Sequence, residues 1–136
     1  SDCTRTLATG PESRLDPLAR EIYEVTLRAN EAGLGAVKAG AIGSQVDEVA
    51  RTVIRDAGYG DNFGHGLGHG VGLEIHEAPR LGPSSKDELM AGEIVTVEPG
   101  IYVSGATGVR IEDLVVVGDR GVDRNLSTVT KALTFV

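Results

Sequence analysis

Two helical stripes followed by a series of β-branched runs divide this chain. Between Leu15 and about Lys38, apolar residues fall at Leu18, Ile22, Val25, Leu27 and Ala29. That spacing predicts an amphipathic helix, which Gly40 helps to end. A second stripe, Val46, Val49, Ala50, Val53 and Ile54, follows Ser44-Gln-Val-Asp47. Ser44 has the side chain of a helix cap, and Gly58 is placed to stop this helix. The period then changes. Glu93-Ile-Val-Thr-Val-Glu-Pro-Gly100 reads as a strand ending in a Pro-Gly turn. Its alternation puts Ile94, Thr96 and Glu98 on one face and Val95 and Val97 on the other. Gly108 to Val117 predicts a second strand, apolar on both faces in its latter half, as in the centre of a sheet. Pro79 to Gly92 reads as a polar connection, and Ser127 to Val136 as a weakly alternating strand returning to the sheet. With residues Ser1 to Thr6 as an opening strand, the order is strand, two helices, then several strands. It predicts an α+β fold, with helices on one face of a curved, mostly antiparallel sheet.

Composition narrows the function. The chain has 136 residues, about one domain and enough for a core. A net charge of −7 and a pI near 4.9 disfavour nucleic acid and anionic membrane as partners. No run approaches the roughly 18 apolar residues of a membrane span, and no signal peptide is visible. The lone cysteine, Cys3, excludes an internal disulfide and suits a reducing, cytoplasmic compartment. Cys3 itself is assigned only packing.

The chemistry concentrates in Gly64-His-Gly-Leu-Gly-His-Gly-Val-Gly-Leu-Glu-Ile-His-Glu77, which holds all three histidines, His65, His69 and His76. Imidazole is the commonest metal-ligating side chain and the usual acid/base near neutral pH. The interleaved glycines argue against a helix and fit a segment that other backbone or a ligand approaches closely. A glycine-rich turn with incidental histidines is the blander alternative. Glu112 shares a strand face with Leu114 and Val116, so its carboxylate is expected in the interior. There it needs a cation or a partner such as Arg110, two residues earlier.

These residues together resemble the pita-bread metallopeptidases, which include methionine aminopeptidase, aminopeptidase P and prolidase. The series Ser1-Asp2-Cys-Thr-Arg-Thr6, His65-Gly-Leu-Gly-His69, His76-Glu, Thr96-Val-Glu98-Pro-Gly and Val109-Arg-Ile-Glu112-Asp carries the resemblance. It covers nearly the whole chain and implies a pita-bread fold, incomplete on its N-terminal side, over residues 1–136. The resemblance further implies two divalent metals. Asp2 and Glu112 match the bridging ligands, and His69 and Glu98 the terminal ligands on one metal. Mn²⁺, Co²⁺, Fe²⁺ and Zn²⁺ all suit such donors, with Mn²⁺ foremost.

In the family a metal-bridging hydroxide is the nucleophile, Glu98 matches the proton relay, and His76 matches the histidine that stabilises the tetrahedral intermediate. His65 and Arg110 look like the pair found in the Xaa-Pro-cleaving branch. Arg80 is a candidate for binding a substrate carboxylate, or else a solvated surface arginine. The family's remaining Asp ligand and a further active-site histidine lie upstream of Asp2. The chain is therefore expected to be part of a longer protein, to bind at most one metal weakly by itself, and to be inactive alone. The implied activity is that of an Xaa-Pro dipeptidase or Xaa-Pro aminopeptidase acting on short proline-containing peptides, with a homodimer as one possible full-length assembly. Methionine aminopeptidase is the main alternative. A creatinase-like or non-catalytic protein of the same fold is another, with intact ligand positions against it.

Overall fold

The computed structural model describes Ser1–Val136 throughout. Helix α1 spans Pro17–Ala36; its start is set by the Asp16 carboxylate accepting the Leu18 N–H and by proline at the first helical position. Helix α2 spans Gly43–Asp56, and the residue at Gly58 has a positive φ of 89°, as a glycine stop requires. The strands are β1 Gly68–Gly70, β2 Glu77–Leu81, β3 Ile94–Val97, β4 Gly100–Val103, β5 Thr107–Arg110, β6 Asp113–Val117 and β7 Val122–Asn125. Five of them form one sheet in the order β2-β1-β3-β6-β7, while β4 and β5 form a separate hairpin. Every strand pairing is antiparallel. The α1 face packs against α2 and the strands, burying Ile22, Val25 and Ala29 with Ala50, Ile54, Leu67, Val95, Val97, Ile101, Ile111 and Val115. Helices on one side of an antiparallel sheet are the α+β arrangement expected. No helix is long and apolar enough to cross a membrane.

Several local expectations are corrected. Gly108–Val117 is two strands, because the chain changes partners at Ile111-Glu112: the Ile111 N–H bonds Pro99 O and the Glu112 N–H bonds Thr4 O. The opening residues make no regular strand, and Ser127–Val136 does not rejoin the sheet. These two segments meet each other through a single parallel bridge, Ala8 to Phe135. The Val129 and Thr130 carbonyls are taken by the Arg5 guanidinium, which leaves no room for a ladder there. Pro79 lies within β2, where the sheet edge tolerates a missing N–H. The polar strand β7 carries no alternating pattern to announce it. In α2, Ser44 makes no cap; the Gly43 N–H is held by Asp87 O instead. Val49 is exposed and Asp47 is buried in its place, paired with Arg51.

Candidate active site

The sheet order brings the predicted donors together. His69 sits in the middle of β1, Glu98 directly follows β3 and Glu112 directly precedes β6, three neighbouring strands. The β3–β6 register pairs Val97 with Asp113, and continuing it by one position sets Glu98 across from Glu112. The glycines flanking His69 make this possible. A side chain at Gly68 would strike the Thr96 carbonyl oxygen, and one at Gly70 the Ala78 carbonyl oxygen. The alternation of glycine and histidine thus lets three strands close on one imidazole.

His69 is buried, and its Nδ1 faces Gly70 O at 3.1 Å. A carbonyl only accepts, so Nδ1 carries a proton and Nε2 is aimed at Glu98 Oε1, 3.1 Å away, and Asp2 Oδ2, 3.9 Å away. That contact requires a proton on one of the two groups or a cation between them. A ring committed through one nitrogen to a carbonyl is also the usual posture of a metal-binding histidine. Thr96 Oγ1 accepts from the His69 N–H and donates to Glu98 Oε1, at 3.0 Å in each case. Glu112 is 2 % exposed and takes a 2.5 Å hydrogen bond from Thr4 Oγ1. Burial pushes its carboxyl up to about 7, Glu98 and Asp2 add to the rise, and the Thr4 bond and Arg110 oppose it.

As the side chains stand, no three His, Cys, Asp or Glu groups are arranged to hold an ion. The donor chemistry nevertheless fits one. Three carboxylates and an imidazole lie close together, burial followed by Glu98 and Asp2 raises the Glu112 carboxyl above its ordinary range, and no lysine or arginine bonds any of the three carboxylates directly. The expected Arg110–Glu112 pair does not form. Arg110 Nε donates to Thr4 Oγ1 at 3.0 Å and so reaches Glu112 only through that hydroxyl.

Beside this cluster opens a cleft of about 450 Å³ whose wall includes His65, His69, His76, Arg80, Glu98 and Arg110. Asp2 and Glu112 are not on that wall. The His76 ring packs edge-on against His69, with centroids 4.3 Å apart. Arg80 donates to His76 O at 3.2 Å and keeps its side chain at the cleft. His65 Nδ1 lies 2.8 Å from Gly66 O, and Nε2 lies 2.9 Å from the Tyr102 hydroxyl. By the same carbonyl logic, Nδ1 holds the proton and Nε2 accepts from Tyr102.

The reading of the sequence overlooked the residues that hold this site in place. Thr4, Thr96 and Tyr102 orient a carboxylate or an imidazole through hydroxyls. From α2, the Asp47 carboxylate takes Arg51 Nε at 2.7 Å and the Leu67 N–H at 2.9 Å. Arg51 also donates to Phe63 O and His65 O and lies 4.2 Å over the Phe63 ring. The i,i+4 spacing of Asp47 and Arg51 was a visible signal; the hydroxyls gave none.

Known proteins resemble this chain in sequence and in fold. The Xaa-Pro dipeptidase of Pyrococcus furiosus is 44% identical over 128 residues, covering 94% of this chain and 36% of that protein. The solved Xaa-Pro dipeptidase from Bacillus anthracis superposes with a TM-score of 0.95 at 44% identity, over 100% of this chain and 37% of its own. The X-Pro aminopeptidase from Thermotoga maritima gives 0.93 at 40% identity, over 100% and 38%. The chain thus spans little more than a third of the length of these relatives. The profile of metallopeptidase family M24 matches residues 1–119, and the chain belongs to that family.

Proposed function

We propose that this chain supplies part of the active site of a metal-dependent peptidase that cleaves bonds involving proline at the N-terminal end of short peptides. The observation that carries the reading is the meeting of His69, Glu98 and Glu112 on three adjacent strands, beside a cleft lined by His65 and Arg110. The names of the relatives support the substrate class. Asp2, His69, Glu98 and Glu112 would hold divalent cations, which supply Lewis acidity and a nucleophile from water near neutral pH.

The chain's own groups do the rest. Glu98 Oε1 is bound to the Thr96 hydroxyl and His69, so it is oriented to receive a proton and pass it to the leaving amine. His76, on the cleft wall and free of other side-chain bonds through its ring, hydrogen-bonds the developing oxyanion. His65, fixed by Tyr102, and Arg110 hold the substrate around proline. Arg80 offers a guanidinium to a substrate carboxylate, which would favour dipeptides.

The test is Mn²⁺-dependent hydrolysis of an Xaa-Pro dipeptide, an Xaa-Pro-Xaa tripeptide and a Met-Ala-Ser peptide by the whole gene product. Turnover of a proline substrate supports the reading, and the preferred length separates dipeptidase from aminopeptidase. Cleavage of the methionine peptide alone, or of none, rejects it.

A further inference from the structure

Beneath the candidate ligands lies a buried polar network that the reaction itself does not use. Asn30, on the core face of α1, is fully buried. Its Nδ2 donates to Val97 O at 3.0 Å and to Ile111 O at 3.4 Å. Those carbonyls belong to the peptide bonds immediately before Glu98 and before Glu112. One carboxamide therefore bridges the backbones of two strands at the positions from which the two acidic side chains depart. Its orientation is forced, since Oδ1 takes 2.9 Å from Lys131 Nζ, a group with no acceptor.

Lys131 Nζ also donates to Asp113 Oδ2 at 2.9 Å, and Asp113 Oδ1 takes Arg5 NH2 at 2.6 Å. Arg5 in turn donates through NH1 to Glu112 O and Thr4 O, at 2.5 and 2.9 Å. Asn125 Nδ2 completes the set on Asp113 Oδ2 at 3.0 Å. Every buried polar atom named here has a partner, and the chain of bonds runs from α1 through the residues before Glu98 to both sides of Glu112. A fully satisfied buried network of this kind fixes one geometry where apolar packing would tolerate several.

The geometry points to Asn30 and Lys131 as positioning residues that set the spacing of Glu98 and Glu112 and so tune divalent-metal affinity. This rests on the metal-site reading above. Outer partners of metal ligands typically change affinity by about 10- to 100-fold when removed.

The experiment titrates Mn²⁺ into the metal-free whole gene product by calorimetry and records the visible spectrum of the Co²⁺-loaded form. The variants are Asn30→Leu, which keeps the branched shape at a greater volume and removes both amide donors, and Lys131→Met, a partly exposed position where Asp113 keeps Arg5 and Asn125 as partners. Val25→Ala, a core truncation on the same helix outside the network, is the control for general destabilisation. Weakening of Mn²⁺ binding by about 10-fold or more in Lys131→Met, matched by Asn30→Leu where that variant folds, with an altered Co²⁺ spectrum and a control within about twofold of wild type, supports the assignment. Lys131→Met binding as wild type does, with an unchanged spectrum, overturns it and leaves the metal site standing. An equal loss in the control also overturns it. Wild type that takes up no Mn²⁺ removes the metal-site reading itself, and the assignment falls with it.

Discussion

Removing the charge of Glu112 should stabilise the metal-free protein at neutral and alkaline pH and abolish a pH dependence that wild type shows. The carboxyl is 2 % exposed and its folded pKa is pushed from 4.5 to about 7, first by burial and then by Glu98 and Asp2. Between those values the folded protein keeps a proton that the unfolded chain has lost. Unfolding free energy therefore falls as pH rises through that window and levels off above about 7. At about 1.4 kcal/mol per pH unit, the full swing is roughly 3 kcal/mol. Urea denaturation followed by circular dichroism, with chelator present, measures it. Between about pH 4.5 and pH 8 the difference between Glu112→Gln and wild type should shift by roughly that amount in favour of the variant. Saturating Mn²⁺ should then restore wild type but not the variant, since a ligand stabilises only the state that binds it. A wild type and variant that stay parallel across this range would refute the electrostatic account of the site.

Three further outcomes follow from the geometry. Arg51→Met leaves the Asp47 carboxylate buried on one backbone N–H and should cost about 3–5 kcal/mol by urea denaturation, while Asp47→Leu with Arg51→Met should recover more than half; strictly additive losses would contradict this. Gly70→Ala drives a methyl into the Ala78 carbonyl and should cost about 1–3 kcal/mol together with metal affinity, read by thermal melting and Mn²⁺ titration. Tyr102→Phe removes the donor to His65 Nε2 and should lower kcat/KM for a proline dipeptide by about tenfold. Because the Tyr102 side chain is 39 % exposed, the melting temperature should barely move.

The sequence showed where chemistry would concentrate because that information is local. Glycine spacing around His69 and alternation through Thr96 and Glu98 each fix a face within a few residues. It showed the two helices for the same reason. What it concealed depends on partners far along the chain. Glu112 was expected to be buried and needing compensation, and it is, but its bond comes from Thr4, 108 positions away, and not from Arg110. The break between β5 and β6 was invisible because Gly108–Val117 is a continuous strand-like run, and only Pro99 and Thr4 decide where it changes partners. On α1 the apolar stripe pointed to Leu18 and Leu27, yet Asn30 and Thr26 are fully buried. Polar residues whose partners are backbone carbonyls on other strands leave no periodic trace.

The neighbouring strands that carry His69, Glu98 and Glu112 have a consequence for how the site comes into being. No single hairpin holds all of the donors, and Asp2 joins them from the opening segment, which Thr4 and Arg5 tie to Glu112 and Asp113. An unfinished fold would therefore present one donor, or two at best. Closing such distant contacts is the slow, entropically costly part of folding. Uptake of a divalent ion would thus mark the last event of assembly. Metal occupancy would then count finished molecules in a preparation, and a folding defect far from the cleft would surface first as missing metal.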